Sequence, residues 1–323
     1  MTVAPEKPDI WVLTDGKAGD EQPLIGIAEA MGGKISIRRV HPRKAFALLM
    51  PFGPIDPREA ADRAGSPIAP PFPDICLATG RRAVAYLRAL KRASPQTTTV
   101  FLKDPRTTRH GADLVVVQSH DAGRVENALV VATAPNRMGP SILDELRLSP
   151  PRHLAELPSP RIAVLVGGNS RHHRFSGSDI DSFVQGLASI HRDGGSLMIT
   201  TSRRTPPELA DRLARLAQQE RVLMWSGEGE NPLAAYLALA DQVVVTADST
   251  NMVGDGAGAG RPVQVFHPTG GHAKINRFLD ALSQQAAIGR FPEDLATESY
   301  APVNSTRQIA EAVLDLWRKN RSD

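Results

Sequence analysis

The chain has 323 residues, and at about 150 residues per domain this length predicts two domains. A single cysteine, Cys76, excludes a disulfide framework and any cysteine-rich zinc or iron–sulfur site. The 38 basic and 35 acidic side chains leave a formal net charge of +3, and aromatic residues make up 5% of the chain. This composition argues against a nucleic-acid-binding protein.

Ten short apolar runs are predicted to be β-strands, because most of them lack polar alternation, as do parallel strands covered on both faces. In chain order they are residues 10–13, 35–40, 75–78, 99–102, 114–117, 162–166, 197–199, 222–225, 243–245 and 263–266. Segments with helical spacing include residues 82–93, 178–191, 207–220 and 305–318. The repeated alternation of strand and helix predicts an α/β protein with parallel sheets.

A proline-rich segment divides the predicted strands into two groups of five. Residues 149–160 contain four prolines, which is typical of an interdomain linker. The sequence thus predicts a Rossmann-like N-terminal domain at 1–150 and a Rossmann-like C-terminal domain at 161–323, arranged around a cleft. The last helix either completes the second domain or returns to the first.

The hydrophobic pattern indicates neither a membrane-spanning nor a secreted protein. No stretch approaches about 18 uninterrupted apolar residues, the length that a transmembrane helix needs. The first residues, MTVAPEKPDIWVLTDG, lack the basic-then-apolar order of a signal peptide. We expect a cytoplasmic protein without a transmembrane segment, and the composition leaves contact with a membrane surface open.

The loop after the first predicted strand carries possible catalytic residues, because open parallel sheets bind ligands beyond the carboxyl ends of their strands. It reads Thr14-Asp-Gly-Lys-Ala-Gly19, and its glycines allow a ligand to approach the backbone. Asp15 offers a base, and Lys17 offers a cation that would neutralise a phosphate. A plain strand-to-helix turn with exposed charges is the alternative interpretation.

Two loops of the second half combine small polar residues with arginines. The segment Gly167-Gly-Asn-Ser170 follows a predicted strand, and its backbone N–H groups suit an anion. Ser202, Arg203 and Arg204 follow the next strand and offer guanidinium groups to phosphate. The alternatives are a glycine-rich turn beside a basic surface patch and a helix cap with solvent-exposed arginines.

A third polar loop follows the predicted strand at 243–245. It reads Thr246-Ala-Asp-Ser-Thr-Asn-Met252 and lies at the start of a predicted helix, where backbone donors suit a diphosphate. Asp255, about one turn further along, would accept hydrogen bonds from ribose hydroxyls. Close packing of a buried helix accounts for the glycines and alanines that follow, but not for the polar cluster.

No metal or cofactor site is predicted. Asp179 and Asp181 lie at a predicted helix start, where acidic residues complement the helix dipole. The adjacent His172 and His173 cannot easily chelate one ion. None of the three tyrosines is followed four residues later by lysine, which excludes the chemistry of short-chain NAD-dependent epimerases.

Taken in order, seven motifs resemble the mitochondrial-fission Elm-type family, whose bacterial members are often labelled nucleoside-diphosphate-sugar epimerase-like. They are Thr14-Asp15-Gly16-Lys17-Ala18-Gly19, Lys103-Asp104-Pro105-Arg106, Ser119-His120-Asp121, Gly167-Gly168-Asn169-Ser170, Ser202-Arg203-Arg204-Thr205-Pro206, Gly229-Glu230-Asn231-Pro232 and Ala247-Asp248-Ser249-Thr250-Asn251-Met252. The resemblance covers nearly the whole chain.

The resemblance implies the two-domain architecture of GT-B glycosyltransferases, with a nucleotide-sugar held mainly by the second domain and an unknown acceptor by the first. It implies that residues 167–170 and 248–252 face the diphosphate, with Asp255 at the ribose. Family members usually carry Ser-Glu where this chain has Gly254-Asp255, and Gly-His where it has Gly19-Asp20. The substrate-binding residues expected on these grounds are Gly16, Lys17, Gly19, Asp104, Arg106, Gly167, Gly168, Asn169, Ser170, Ser202, Arg203, Arg204, Asp248, Ser249, Thr250, Asn251, Met252 and Asp255.

The implied chemistry is attack of an acceptor hydroxyl on the anomeric carbon, with inversion and without a metal. Asp15 is the first candidate for the base, and His120 or Asp121 is the second. Arg203 or Arg204 would stabilise the departing diphosphate together with backbone N–H groups. A metal-free nucleotide-sugar epimerase and a scaffold that keeps the fold without catalysis are the alternatives.

Overall fold

Two parallel sheets of six strands each organise the chain. The computed structural model describes residues 7–225 and 227–322. Unit 1 comprises residues 7–137 and 305–322, and unit 2 comprises residues 138–304. No helix in these described ranges has the length and apolar content needed to cross a membrane.

The sheet of unit 1 has the strand order β2-β1-β3-β4-β5-β6, and every pairing in it is parallel. Its strands are β1 (Asp9–Thr14), β2 (Lys34–Arg39), β3 (Ile75–Thr79), β4 (Thr98–Leu102), β5 (Leu114–Gln118) and β6 (Leu129–Val131). The helices among them are α1 (Ala18–Met31), α2 (Lys44–Leu49) and α3 (Ala83–Ala93). The first five strands confirm the sequence prediction.

Both faces of this sheet are covered, as the continuous apolar runs predict. Successive side chains of a strand point to opposite faces, and in β1 Ile10 and Val12 join one apolar cluster while Trp11 and Leu13 join another. All four side chains are buried. The carboxyl end of β1 is therefore fixed by packing on two sides.

Unit 2 contains the second parallel sheet, in the order β10-β9-β7-β11-β12-β14, and a separate antiparallel pair, β8 and β13. Its strands are β7 (Arg161–Val166), β8 (His173–Arg174), β9 (Ser196–Thr201), β10 (Val222–Trp225), β11 (Gln242–Thr246), β12 (Val263–Phe266), β13 (Thr269–Gly270) and β14 (Ile288–Arg290). Its helices are α4 (Pro140–Leu148), α5 (Arg152–Ala155), α6 (Gly177–Arg192), α7 (Pro207–Leu216), α8 (Leu233–Leu239), α9 (Thr250–Ala257) and α10 (Ala273–Leu282).

The strand order of unit 2 is that of dinucleotide-binding folds. Counted in chain order, the strands run third, second, first, fourth, fifth, sixth across the sheet, so the direction of connection reverses between β7 and β11. In unit 1 the same reversal falls between β1 and β3. Ligands of such sheets bind beyond the carboxyl ends of the strands at this switch point.

The last helix, α11 (Ser305–Ser322), belongs to unit 1. Its buried residues Ile309, Val313 and Trp317 pack in one cluster with the strands of the first sheet and with α1. The Ser305 hydroxyl accepts a hydrogen bond of 3.0 Å from the Thr133 N–H. Of the two alternatives for this helix, the structure shows the return to the first unit.

The boundaries of the units differ from the expected domains at 1–150 and 161–323. The change of unit falls at 137/138, and the expected linker at 149–160 contains α5. Leu154 and Leu157 pack in the core of unit 2, and the Arg147 guanidinium donates to the Ala238 carbonyl at 3.0 Å. These contacts hold residues 138–160 in unit 2. The sequence predicts a linker here because prolines indicate a stiff backbone, but a proline-rich segment can still have side chains that pack in a core.

Candidate functional site

Three of the predicted loops meet at one edge of unit 2. Residues 167–170 follow β7, residues 202–206 follow β9, and residues 247–249 follow β11. These strands are neighbours in the order β9-β7-β11, and all are parallel. The switch point of the sheet therefore carries the candidate nucleotide site.

The Asp248 carboxylate joins these three loops. Its side chain has no exposed surface. Oδ2 accepts hydrogen bonds from the Gly168 N–H at 3.0 Å and from Arg204 Nη2 at 2.8 Å, and Oδ1 accepts one from the Thr246 hydroxyl at 2.7 Å. Asp248 thus braces the loops from inside the unit and offers no free surface to a ligand.

Gly167 and Gly168 are required by the close approach of their neighbours. A Cβ on Gly167 would lie 2.2 Å from Asp248 Oδ1, and a Cβ on Gly168 would lie 1.9 Å from the Arg204 carbonyl oxygen. Both distances are far below van der Waals contact, so only glycine fits. The glycine pair is explained by packing within the protein.

The backbone N–H groups of residues 167–170 are already engaged. Gly167 donates to the Thr246 hydroxyl at 2.8 Å and Gly168 to Asp248. Asn169 donates to the Arg204 carbonyl at 3.1 Å, and Ser170 to the His173 carbonyl at 2.9 Å. The sequence predicts that this loop binds an anion through its backbone, but in this arrangement none of the four N–H groups is free to donate to one.

The side chains of the same loop also bond locally. Asn169 Oδ1 accepts from the Phe175 N–H at 2.9 Å, and Ser170 Oγ accepts from the N–H groups of His172 and His173 at 3.3 and 3.1 Å. These bonds shape the turn into β8. The loop is consequently a fixed platform at the switch point.

The amino end of α9 is the open part of the edge. Ser249 is the N-cap, and its hydroxyl accepts from the Met252 N–H at 3.4 Å. Within the described ranges, the backbone N–H groups of Thr250 and Asn251 make no hydrogen bond to protein, as expected for a first helical turn. Asn251 is exposed, whereas Met252 is half-buried and packs against the core of unit 2.

The remaining predicted residues of unit 2 surround this helix start. Asp255 is half-buried and lies four residues after Asn251, so the two share one helix face. Arg203 is exposed, and the Arg204 side chain is 45% exposed although it is tied to Asp248. The Ser202 hydroxyl accepts from the Arg204 N–H at 3.2 Å, which positions the loop and not a ligand.

Four histidines gather beyond the loop at 167–170. The rings of His172 and His272 lie 4.1 Å apart. His173 is buried, and its Nδ1 has no hydrogen-bond partner among the described residues. Burial lowers the pKa of His173 against the opposing charge of Asp248, and burial, Arg290 and His173 lower that of His267.

Only His172 and His173 are adjacent in the sequence, which explains why the sequence does not predict the group. The described part of the chain holds no set of three or more His, Cys, Asp or Glu placed to bind a metal ion.

In unit 1, Asp15 combines burial with an unused oxygen. Its side chain is 5% exposed, and Oδ2 accepts from Lys17 Nζ at 2.9 Å. Oδ1 is buried and has no partner within the described residues. Gly16 has φ +83° and donates to the Thr14 hydroxyl at 3.1 Å, whereas Gly19 lies exposed in the first turn of α1.

A buried polar chain supports this turn. The Thr14 hydroxyl donates to Glu21 Oε2 at 3.2 Å, and Arg39 holds the same carboxylate with two hydrogen bonds of 2.9 and 2.8 Å. The bonds from Arg39 keep the pKa of Glu21 below its usual range, against the effect of burial. The sequence does not indicate this group, because Arg39 ends a different strand.

Asp20 connects three elements at the same edge. Its Oδ1 accepts from Lys103 Nζ at 2.5 Å, and a Cβ on Gly80 would lie 3.7 Å from its Oδ2. Lys103 has φ +76°, a conformation that side chains rarely adopt outside functional or strained turns. Aspartate at this position thus forms an ion pair with a lysine that follows β4.

The other predicted residues of unit 1 lie further along the sheet. Asp104 Oδ1 accepts from the Arg106 N–H at 2.7 Å within a turn. His120 is buried, with Nε2 3.4 Å from the Asp121 carboxylate. Because neighbouring strands lie about 4.8 Å apart, and β5 is three strands from β1, the two base candidates belong to separate places roughly 14 Å apart.

Solved structures match this architecture along nearly the whole chain. A putative UDP-N-acetylglucosamine 2-epimerase from Listeria monocytogenes superposes with a TM-score of 0.50, at 15% identity, over 98% of this chain and 90% of that one. UGT89C1 of Arabidopsis thaliana also gives 0.50, at 11% identity, over 98% and 95%. The chain has the GT-B-like fold, with two Rossmann-like units, that is found among glycosyltransferases and epimerases.

The family model of mitochondrial fission ELM1 matches residues 18–317. The chain is 24% identical to the mitochondrial fission protein ELM1 of Arabidopsis thaliana over 75% of its own length and 63% of that protein. It is 22% identical to the uncharacterized protein RP120 of Rickettsia prowazekii (strain Madrid E) over 97% and 100%. The chain belongs to the mitochondrial fission ELM1 family, and it spans less than two thirds of the Arabidopsis relative.

Proposed function

We propose that the chain binds a nucleoside diphosphate-sugar at the carboxyl edge of the unit 2 sheet and transfers the sugar to an acceptor hydroxyl, with inversion and without a metal. The observation that carries this proposal is the open first turn of α9 at the switch point, beside two arginines. A Rossmann-ordered sheet and the GT-B-like fold support it.

The diphosphate would be held by α9 and by the loop after β9. The free N–H groups of Thr250 and Asn251 and the positive end of the helix dipole attract an anion. Arg203 and the exposed part of Arg204 add positive charge on the neighbouring loop. The buried Asp248 fixes Arg204 and so keeps its guanidinium at this edge.

The ribose would lie one turn further along α9. Asp255 shares a helix face with Asn251, and a carboxylate accepts hydrogen bonds from two neighbouring hydroxyls. Aspartate is one methylene shorter than glutamate, so the nucleoside has to approach this helix more closely than it would with a glutamate here.

Asp15 of unit 1 would serve as the general base. Its Oδ1 accepts no hydrogen bond from the described residues, while Oδ2 is held by Lys17. The acceptor oxygen attacks the anomeric carbon, the bond from that carbon to the diphosphate oxygen breaks, and the diphosphate leaves with the electron pair. The proton of the acceptor hydroxyl moves to Asp15 Oδ1, and Arg203 stabilises the charge on the leaving group.

Calorimetry with uridine, guanosine and thymidine diphosphates tests the nucleotide site. In Asn251→Asp the new carboxylate repels the diphosphate, so the Kd should rise by about tenfold or more. The matched control is Asn276→Asp, an exposed asparagine of α10, which should leave the Kd unchanged. If none of the three diphosphates binds to the wild-type chain at millimolar concentration, the site does not exist.

Phosphorus NMR then separates transfer from epimerisation. A transferase releases nucleoside diphosphate only when an acceptor is added, whereas an epimerase that works by elimination and readdition forms it without one. Release of the diphosphate in the absence of acceptor would favour the epimerase.

A scaffold without catalysis is the second candidate function. It is favoured by the engagement of all four backbone N–H groups at 167–170, which removes donors that a diphosphate would otherwise use. On this hypothesis Asp15→Asn leaves the biological phenotype intact. On the transferase hypothesis the same variant abolishes turnover while nucleotide binding is retained.

A further inference from the structure

An exposed apolar surface lies at the end of α2 in unit 1. Leu48, Leu49 and Phe52 are 76%, 56% and 72% exposed. Phe52 lies in the turn that follows the helix, where its N–H donates to the Leu49 carbonyl at 3.1 Å. The exposed Ala45, Leu48 and Leu49 have the helical spacing i, i+3 and i+4 and share one face of α2. We call residues 44–53 the α2 tip.

The opposite side of the α2 tip packs into unit 1. Met50 is buried in the apolar cluster beneath it, and Phe46 packs against the same cluster. The inward side therefore already has its partners, and the outward apolar residues are not a frayed part of the core. Large apolar side chains that stay exposed close together in the chain mark an interaction surface.

Two arginines hold the α2 tip in place from below. Arg81 donates to the carbonyls of Ala47 and Met50 at 2.9 and 2.8 Å. Arg88 donates to the Gly53 carbonyl at 2.7 Å. The carbonyl groups at the end of the helix are thus satisfied by cations, and the apolar side chains are presented on a fixed backbone.

The surroundings of the α2 tip are positively charged. Residues 38–55 contain four arginines and lysines; Arg39 and Arg43 are paired with the buried carboxylates of Glu21 and Asp56. Lys44 is exposed, and Arg43 lies with its guanidinium 5.0 Å from the Phe46 ring centre. Burial lowers the pKa of Arg88, and the neighbouring cations Arg92 and Arg109 lower it further.

We propose that the α2 tip docks on an anionic lipid bilayer, with Leu48, Leu49 and Phe52 entering the boundary between headgroups and acyl chains. The apolar side chains would contact the acyl chains of such a bilayer, and the neighbouring cations would contact its anionic headgroups. An anionic surface also supplies a counter-ion to the exposed Lys44, which forms no ion pair among the described residues. This proposal is independent of the nucleotide site in unit 2.

Vesicle flotation with the intact chain tests the proposal. The chain should float with vesicles of phosphatidylcholine and phosphatidylglycerol, float far less with phosphatidylcholine alone, and detach as salt is raised. The double variant Leu48→Gln, Phe52→Gln should bind the mixed vesicles about tenfold less or weaker still. The matched control is Leu148→Gln with Leu295→Gln, which changes two leucines that are 88% and 43% exposed in unit 2 and should not alter flotation.

Several outcomes would overturn the proposal. They are no flotation with the mixed vesicles, equal flotation of the double variant, and equal flotation with phosphatidylcholine alone. A dimer in sedimentation velocity that the double variant abolishes would show that a second copy covers the α2 tip. Diphosphate binding by calorimetry should be the same in the double variant and the wild type, so this test and that of the proposed function fail separately.

Discussion

At the scale of single residues, the Asp248 carboxylate accepts hydrogen bonds from protein groups in place of the water molecules that would otherwise hydrate it. Its fully buried carboxylate accepts from a backbone N–H, a hydroxyl and a guanidinium. A carboxylate removed from water is tolerated when its partners are as complete as these. The same bonds fix the ends of β7 and β11, so stability and site geometry depend on one side chain.

Asp248→Asn should therefore destabilise unit 2 by about 3 kcal/mol. In the place of Oδ2 the amide nitrogen faces both the Gly168 N–H and the Arg204 guanidinium, and in the place of Oδ1 it faces the donating Thr246 hydroxyl. Donors therefore meet in either orientation, and Arg204 loses its counter-ion. Urea unfolding measures the loss.

The control for this change is Glu156→Gln, which removes the carboxylate that Arg152 contacts at 2.8 Å on the surface. It should change stability by about 0.5 kcal/mol or less. Equal losses in the two variants would contradict the role given to Asp248.

The sequence predicts the residues of this site better than it predicts their partners. The glycines, hydroxyls and arginines after β7, β9 and β11 are recognisable because they interrupt apolar runs. The bond from Gly168 to Asp248 joins residues 80 positions apart, and such a pairing depends on strand order, which the composition of one loop does not contain. For the same reason the sequence cannot show that the N–H groups at 167–170 are occupied.

At the scale of secondary-structure elements, length decides what the sequence reveals. Most of the ten predicted strands are found because their buried runs of four to six residues, as in β3 and β7, are mainly apolar. The outer strands β6 and β14 have three residues each, too few to show a period. The helix predicted at 207–220 ends at Leu216, because the residues beyond it turn back toward β10.

The helix α11 provides a test at this scale. Ile309 has no exposed surface and packs in the core of unit 1. Ile309→Ala should lower the free energy of unfolding of unit 1 by about 2–4 kcal/mol, through lost burial and a cavity.

Fluorescence in a Trp225→Phe background follows unit 1, because Trp11 and Trp317 lie there. The control Leu148→Ala removes a side chain that is 88% exposed and should leave that transition in place. An unchanged midpoint for Ile309→Ala would show that α11 adds nothing to this core.

At the scale of the whole molecule, the path of the chain differs from the simple division that the sequence suggests. The spacing of apolar residues predicts that a helix has an apolar face, but it does not predict which sheet covers that face. Residues 305–318 satisfy the helical spacing equally well in either unit, so only the packing of Ile309 and Trp317 assigns α11 to unit 1. The prolines at 149–160 likewise carry no information about the burial of Leu154 between them.

The histidines make stability depend on pH in both units. Burial lowers the pKa of His110 in unit 1 and contributes most to the lowered pKa values of His172, His173 and His267 in unit 2. In the unfolded chain a histidine titrates near pH 6.5. Between that value and the lower folded values the unfolded chain binds more protons, so stability falls as the pH falls through this window.

The pH range in which the histidines change the stability is distinct from that of the carboxylates. Glu21 and Asp179 also have lowered pKa values, so the stability that they contribute is present above their unfolded values of about 4 and is lost only below them. A loss of stability between about pH 6.5 and pH 5 therefore arises from protonation of the histidines in the unfolded chain.

Urea unfolding between about pH 7.5 and pH 5 should show decreasing stability toward acid. His173 contributes at most about 1.4 kcal/mol per pH unit, the value for one full proton, and solvent screening reduces this figure. In His173→Gln the slope should become shallower, because a glutamine does not take up the proton that the unfolded wild-type chain binds. A wild-type slope of zero or of opposite sign would contradict this prediction. It would mean that His173 binds a proton in the folded chain as readily as in the unfolded chain, because the Asp248 charge outweighs the effect of burial.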